Sequence, residues 1–293
     1  MQKNHRVSLN AVRVFVVVAR TGSLTAAGAE LNVTSSAVSH QLKKLEDELG
    51  VSFFRRGNNT VSLTEAGQRF YREVAPAIGL IEHAAQALYR DETEITVQAS
   101  TSLAVRWLIP SLDRFRALCP EARVRVETGS ARDLPAVPIA DVSIRYFRTG
   151  ETAAEGWGLL ARDMSRPVVS PRLLAKGANT RKVDISAVPA LKRTAGNRDW
   201  KLWCETFDIR LANLSFAHEF DTDDAALQAC VAGLGMVLAP PILTTREIQA
   251  GALVVLPGYG DVEVGEYRYQ RRSETRVARL FCDWMDTEMR NLA

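Results

Sequence analysis

Thr34-Ser35-Ser36-Ala37-Val38-Ser39-His40-Gln41-Leu42-Lys43-Lys44-Leu45-Glu46-Asp47-Glu48-Leu49-Gly50 reads as one amphipathic helix with both ends marked. Thr34 suits an N-cap, and Gly50 stops the helix after Leu49. Val38, Leu42, Leu45 and Leu49 fall on one apolar stripe. Ser36, Ser39, His40, Lys43 and Asp47 fall on the opposite side, with Ser35 at the N-terminal edge. That side offers hydroxyls, an imidazole and an amine along the N-terminal half, the part of a recognition helix that enters a major groove. Hydroxyls and amines bond phosphates, and His40 or Lys43 can reach base edges. An ordinary solvated helix face is the alternative, and this segment alone does not decide between them.

The neighbouring segments supply a cover for the stripe. Leu9, Val12, Phe15, Val16 and Ala19 recur at helical spacing and predict a helix from Leu9 to about Arg20, although Phe15–Val18 also has strand propensity. Gly22 ends it. Ser23 caps a short helix, Leu24–Leu31, whose Ala26, Ala27, Gly28 and Ala29 allow close packing, and Asn32-Val33 makes the turn. Beyond the quoted helix, Phe53-Phe54-Arg55-Arg56 and Thr60-Val61-Ser62-Leu63 flank Gly57-Asn58-Asn59, the pattern of a β-hairpin. Helix, turn, recognition helix and a hairpin bearing Arg55 and Arg56 make a winged helix-turn-helix, with the arginines available to DNA backbone or minor groove. Residues 1–63 hold eight basic side chains against four acidic, in a chain whose net charge is only +3. A basic head on a near-neutral body suits a polyanionic partner, and a merely soluble basic domain has the same balance.

Ser23-Leu24-Thr25-Ala26-Ala27, Ser36-Ala37-Val38-Ser39, Leu45-Glu46, Leu49-Gly50, Phe53-Phe54 with Arg56, and Leu63-Thr64 with Ala66-Gly67 together resemble the LysR-type transcriptional regulators. The match runs in order and spacing over about sixty residues. The resemblance implies that Ser35, Ser36, Ser39 and His40 face double-stranded DNA and that Arg56 supports the wing. The wing tip departs from the family pattern, with Asn58 and Asn59 where members often carry a further basic residue.

Thr64 can cap a long helix reaching about Arg90. Phe70, Val74, Ala77, Ile81, Ala84 and Leu88 alternate four and three apart along it, a heptad seam that wants a partner helix. Pro76 should kink or break it. Packing on its own domain is the alternative. The resemblance implies a homodimer through this helix, so that two heads read a two-fold-related site, and a homotetramer is left open. Arg90-Asp91-Glu92-Thr93 reads as a hinge.

From Glu94 onward strands and helices alternate. Strands are expected at Glu94–Ala99, Ala122–Thr128, Asp141–Tyr146, Ala190–Arg193, Leu214–Glu219, Met236–Ala239 and Ala252–Leu256. Helices are expected at Leu103–Leu118, disturbed by Pro110, and at Arg198–Phe207, Ala225–Ala232 and Glu274–Arg290. Such alternation implies an α/β fold with largely parallel sheets. The resemblance implies a two-lobed, periplasmic-binding-protein-like effector domain. The chain would cross between lobes near Arg162–Val169 and Gly265–Arg271, and the last helix would return to the first lobe. The domains expected are 1–63 for the head, 64–91 for the linker helix and hinge, and 92–293 for the effector domain. Lobe I would span about 92–163 and 269–293, and lobe II about 164–268.

A small-molecule effector is expected between the lobes, near strand C-termini and helix N-termini. Ser100, Thr101 and Ser102 follow the first strand; they hold a carboxylate or carbonyl, or simply cap a helix. Arg145 and Tyr146 end a strand toward the same crevice, where Arg145 pairs with an acidic ligand or with an internal acid. Asp221 and Thr222 precede a helix and are first of all caps; opposite Arg145, they would suit a zwitterion. Trp200 lines the mouth or, with Trp203, belongs to a core. Ser143-Ile144-Arg145-Tyr146, the two tryptophans and Ala232-Gly233-Leu234-Gly235 are loosely similar to the glycine-cleavage-activator and β-lactamase-regulator branch of the family.

Enzyme motifs are missing: there is no nucleophile elbow, P-loop, dinucleotide fingerprint or zincin helix, and the four histidines (His5, His40, His83, His218) lack a catalytic setting. No cofactor is expected. Cys119, Cys204, Cys230 and Cys282 are far apart without metal spacing, the usage of a reducing cytoplasm. No apolar run is long enough for a membrane helix, so no membrane partner is expected. The Val14–Ala19 run behind Lys3, His5 and Arg6 is too short for a signal peptide.

Overall fold

The structure, a computed structural model, describes residues 7–56, 61–88, 91–129, 140–174, 183–193 and 196–292. Two compact units result, one up to Arg90 and one from Asp91.

In the first unit, α1 (Leu9–Thr21), α2 (Leu24–Leu31) and α3 (Ser35–Leu49) are closed by Gly22, Asn32 and Gly50, all left-handed. Ser23 and Thr34 accept the N–H groups of Ala26 and Ala37 as N-caps. Gly28 is required by a close approach, since a Cβ there would meet the Val33 carbonyl oxygen at 2.7 Å. Strands β1 (Phe54–Arg56) and β2 (Val61–Leu63) pair antiparallel as the wing. The wing tip, with Asn58 and Asn59, lies outside the described residues, as do the side chain of Arg56 and all of Arg90.

Phe15 is fully buried amid Phe53, Phe54 and Phe70, whose ring centroids lie 5.1, 5.3 and 5.1 Å away. The head is thus joined to α4 (Glu65–Ala87) by aromatic packing. Thr64 makes the junction. Its N–H donates to the Phe53 carbonyl at 2.8 Å, its hydroxyl donates to the Ser52 carbonyl at 2.8 Å, and it accepts the Gly67 N–H at 3.0 Å. The break expected at Pro76 is absent, and α4 runs through it. Proline removes one backbone hydrogen bond there, but Phe70, Tyr71, Val74 and Ile78 hold both sides of that turn on the head core.

The second unit starts with β3 (Glu94–Ser100), α5 (Thr101–Leu103), a π-helical turn (Ala104–Leu108) and α6 (Ile109–Leu118). Pro110 explains the irregularity: it sits in the first turn of α6, and just before it the Ile109 N–H reaches back five residues to Ala104. Then come β4 (Arg123–Gly129), β5 (Val142–Arg148), β6 (Gly158–Val169), β7 (Ala190–Arg193) and α7 (Arg198–Thr206). After these follow β8 (Phe216–Phe220), α8 (Asp223–Val231), β9 (Val237–Ala239), α9 (Pro241–Gln249), β10 (Val254–Val255), β11 (Val262–Arg271) and α10 (Arg276–Leu292).

The main sheet has the order β10-β6-β11-β5-β3-β4, with β9 also on β6, and β7-β8 form a separate parallel pair. The expectation of largely parallel sheets is corrected. β3 is parallel to β4 and β5, but β11 is antiparallel to β5 and β6, and β6 is antiparallel to β9 and β10. The two crossings are themselves long strands. Their inner parts pair with each other, β11 also pairs with β5, and Arg166–Val169 of β6 turns to β9 and β10. α10 returns to the first lobe, where Phe281 meets Phe115 edge-on at 5.0 Å.

Gly67 is the most constrained position in the head, because a Cβ there would sit 2.2 Å from the Phe53 carbonyl oxygen. Gly67→Ala is expected to destabilise the head by about 2 kcal/mol or more, the upper range for overpacking. Urea unfolding followed by hydrogen exchange of the head's amides measures it, and an unchanged midpoint would refute the close approach.

Candidate functional site

Val38 and Leu45 of α3 are fully buried, Leu42 is nearly so, and Leu49 packs half-buried against the same core. Ser35, Ser36, His40 and Lys43 are exposed on the other side, and Arg55 is exposed on the wing. Ser39 is half-buried in a cleft with Leu24, Lys43, Phe54 and Val61, so it faces the groove between α3 and the wing. Glu46 was unassigned by sequence reasoning: its Oε1 accepts the Phe53 and Phe54 N–H groups at 2.6 and 3.3 Å and fastens the wing to α3. The signal was an acid on the flank of the stripe, one turn before the helix ends.

The heptad seam on α4 divides in two. Phe70 and Val74 are spent on the head's own core. Ala77, Ile81, Ala84 and Leu88 are exposed, Ile81 at 54% and Leu88 at 81%.

In the second unit, the residues expected around the effector separate. Ser100 and Thr222 are caps, accepting from the Leu103 and Ala225 N–H groups. Thr101 is half-buried at the start of α5, and Ser102 is buried, accepting the Asp224 N–H at 3.0 Å. Asp221 is exposed ahead of α8. Trp200 is core: it is buried, and its indole N–H donates to the Leu191 carbonyl at 2.9 Å. Arg145 and Tyr146 do not share a crevice. They are neighbours on β5 (Val142–Arg148), and strand alternation sends them to opposite faces of the sheet. Arg145 lies opposite Arg268, with its guanidinium 5.6 Å from the Trp157 ring centre. Tyr146 lies opposite Tyr267, ring against ring at 5.1 Å.

Tyr146 instead faces a buried polar cluster. Arg193 on β7 bonds Asp199 of α7 and reaches Asp223 of α8 at 3.1 Å. Asp163 of β6 is 5% exposed and accepts the Ser165 hydroxyl at 2.6 Å. Gly265 makes room for Tyr146, since a Cβ there would stand 2.6 Å from its hydroxyl. A cavity of about 30 Å³ opens beside the cluster, lined by Arg193, Asp199, Asp223, Leu191 and Trp200.

Residues 9–68 match the bacterial regulatory helix-turn-helix protein, lysR family, and residues 90–290 match the LysR substrate binding domain. The chain belongs to the LysR family. It is 34% identical to the glycine cleavage system transcriptional activator of Escherichia coli (strain K12) over 248 residues, 84% of this chain and 81% of that protein. It is 30% identical to the HTH-type transcriptional regulator TrpI of Pseudomonas aeruginosa over 288 residues, 96% of this chain and 97% of that one. The fold matches the crystal structure of ArgP from Mycobacterium tuberculosis with a TM-score of 0.63 at 20% identity, covering 97% of this chain and 98% of that chain. This LysR-type protein is therefore a transcription regulator and not an enzyme, with a DNA-binding helix-turn-helix and an effector-binding domain. Among the described residues, no helix is long and apolar enough to cross a membrane.

Within the regulator's effector-binding domain, sequence reasoning missed Asp163, Arg193, Asp199 and Asp223, because each lies on a different element and no local pattern joins them. Burial pushes the Asp163 carboxyl up to about 6; the Ser165 hydrogen bond and the nearby Tyr146 hydroxyl oppose the rise, and the charges of Asp223 and Asp199 add to it. Asp223 is raised by burial as well, with Arg193 opposing.

For Asp163 the folded chain holds its proton to about pH 6, whereas an unfolded Asp releases it near about 3.9. Stability is therefore lost as pH rises between those values, and the penalty is fully present above the upper one. Asp163→Asn removes it. Urea unfolding across pH is expected to show the wild type losing about 3 kcal/mol relative to the variant between about pH 4 and pH 7. Parallel curves would show that Asp163 is not held neutral.

Proposed function

We propose that two copies of this regulator pair along α4 and read a two-fold-related double-stranded DNA site with their α3 helices, under control of a small molecule held between the lobes of the second unit. The observation that carries this reading is the division of α3. Its apolar side is sealed into the head, while Ser35, Ser36, His40 and Lys43 stand in solvent over its N-terminal half. Two-fold operators match two recognition helices about one DNA turn apart. Arg55 and Arg56 of the wing add phosphate contacts. Ser39, in the groove beside the wing, contributes a hydroxyl at the edge of the interface.

Pairing along α4 is supported by Ala77, Ile81, Ala84 and Leu88, which keep the heptad rhythm and have no cover. The division of labour follows the expected bounds: 1–63 reads DNA, 64–91 pairs chains, and 92–293 binds the effector. In this reading lobe I is 92–163 and 269–293 and lobe II is 164–268, a division supported by β6 (Gly158–Val169) and β11 (Val262–Arg271), which run across both of its bounds. The cytoplasm suits the four buried free thiols.

Ser39→Ala and His40→Ala are expected to weaken binding to the cognate promoter by about 1–3 kcal/mol and to random duplex by much less, whereas Lys43→Ala weakens both. Fluorescence anisotropy against the two duplexes measures this; equal losses on both would reduce Ser39 and His40 to phosphate contacts. Ile81→Asp combined with Leu88→Asp is expected to give a monomer in sedimentation and to lose binding to a two-fold site. A dimer that survives would remove α4 from the interface, and twice the dimer mass in the wild type would establish the homotetramer.

A further inference from the structure

The polar cluster between the lobes is unbalanced. Three carboxyl groups, Asp163, Asp199 and Asp223, share one guanidinium, Arg193, which Asp199 and Asp223 already engage. Asp163 accepts a hydrogen bond from the Ser165 hydroxyl at 2.6 Å and, among the described residues, has no cation bonded to it. Buried charges are ordinarily paired, and an unpaired one is strongly penalised. A second observation points the same way. The Tyr146 hydroxyl is buried and has no hydrogen-bond partner among the described residues, and Tyr267, 4% exposed, packs ring against ring with it at 5.1 Å. A phenolic oxygen set beside carboxylates is an acceptor for an N–H donor. On the Arg193, Asp199 and Asp223 side of the cluster a cavity of about 30 Å³ admits a group the size of a water molecule.

The geometry points to a ligand-ammonium subsite, in which a primary amine of the effector takes the place of the missing counter-ion, bonded by Asp163 and by the Tyr146 and Tyr267 hydroxyls, with Asp223 behind. A metal ion fits less well, because no group of three acidic, histidine or cysteine side chains among the described residues could hold one. Arg193 faces the subsite from β7 and is engaged by Asp199 and Asp223. The assignment rests on the reading of the interlobe cleft as the effector site.

The groups around Asp163 are Tyr146 from β5, Tyr267 from β11, Asp199 from α7 and Asp223 from α8, with Ser165 on its own strand; Arg193 from β7 acts on Tyr146 and Tyr267. Of these, Asp163 titrates near 6, while an alkyl ammonium stays charged throughout that range. Amine binding should therefore strengthen as pH rises from about 5 to about 7.5.

The test uses the full chain and four probes of one length: butylamine, 1,4-diaminobutane, 4-aminobutanoate and butanoate, each titrated calorimetrically to about 20 mM, the range of the weakest specific binding. At least one amine is expected to bind and to raise Tm, as a native-state ligand must. Its affinity is expected to fall at least about tenfold in Asp163→Asn and several-fold in Tyr267→Phe, and butanoate is expected to be silent. Asp163→Asn is a folded control by its own stability curve, and Tyr267→Phe keeps the ring packing. If butanoate alone binds, and Tyr146→Phe and Tyr267→Phe abolish it, the cleft remains the effector site and the ammonium subsite is overturned. If an amine binds regardless of all three substitutions, the seat lies elsewhere and both readings fall. No response to any probe also overturns the subsite.

Discussion

A short helix in a small domain has one side to give to its own core, and in α3 that side is fixed by Val38, Leu42 and Leu45. Successive residues are about 100° apart around a helix, so a rotation by one residue would expose a leucine and bury His40. Burying one such side chain is worth about 1.5–3 kcal/mol, which sets the rotation firmly. The chemistry of the exposed side is thus a consequence of core packing. The same core fixes the wing, because Glu46 leaves α3 to hold the Phe53 and Phe54 N–H groups while both rings pack on Phe15. Thr64 and Gly67 then bring α4 against Phe53. Recognition helix, wing and linker helix are consequently one rigid piece built around Phe15 and Phe53.

The effector-binding unit is organised by buried charge. Arg106, on the π-helical turn of the first lobe, is 3% exposed and bonds Asp224 at 2.5 Å and Glu247 at 2.7 Å. The Asp224 N–H meets Ser102, so α8 and α9 are held to the first lobe by a compact polar contact. A buried pair of this kind adds little stability but enforces a geometry, since removing one partner strands the other. Asp223, next in sequence to Asp224, turns to Arg193 instead. The first turn of α8 therefore joins a closed ion-pair set on one side to the unbalanced Asp163 cluster on the other. Neutralising the second changes the field one residue from the contact that holds the lobes together.

Local signals were legible in the sequence. Ser23, Thr34, Gly22 and Gly50 bound the head's helices where the caps predicted, and the leucine stripe fixed which side of α3 is wet. Pro110 marked a real irregularity, but Pro76 did not, because tertiary packing on both sides of that turn outweighs one missing hydrogen bond. β6 and β11 were expected only as crossings. Their alternation is interrupted by Pro167 and Gly265, and their antiparallel pairing depends on contacts about a hundred residues apart. Arg145 and Tyr146 were read together as neighbours in sequence, although strand geometry separates such neighbours. The Asp163, Asp199, Asp223 and Arg193 cluster was invisible for a similar reason: four elements contribute one residue each.

Specificity explains why the exposed half of the α4 seam matters to the head. One recognition helix reaches only a few base edges, and each is worth about 1–3 kcal/mol of discrimination. A single head therefore ranks sites weakly against a genome of competitors. Two heads held by a common seam bind the second half-site at a high effective concentration, so their discriminations combine without any new contact to DNA. Ile81 and Leu88 are poor surface residues for a monomer, and their exposure is an aggregation liability unless another chain covers it. Phe70 and Val74 lie on the same seam three and two turns before Ile81, where the head covers them. The heptad thus changes setting along its length: its first half carries the rigidity of the head into α4, and its second half keeps the same rhythm in solvent, where only another chain could cover it.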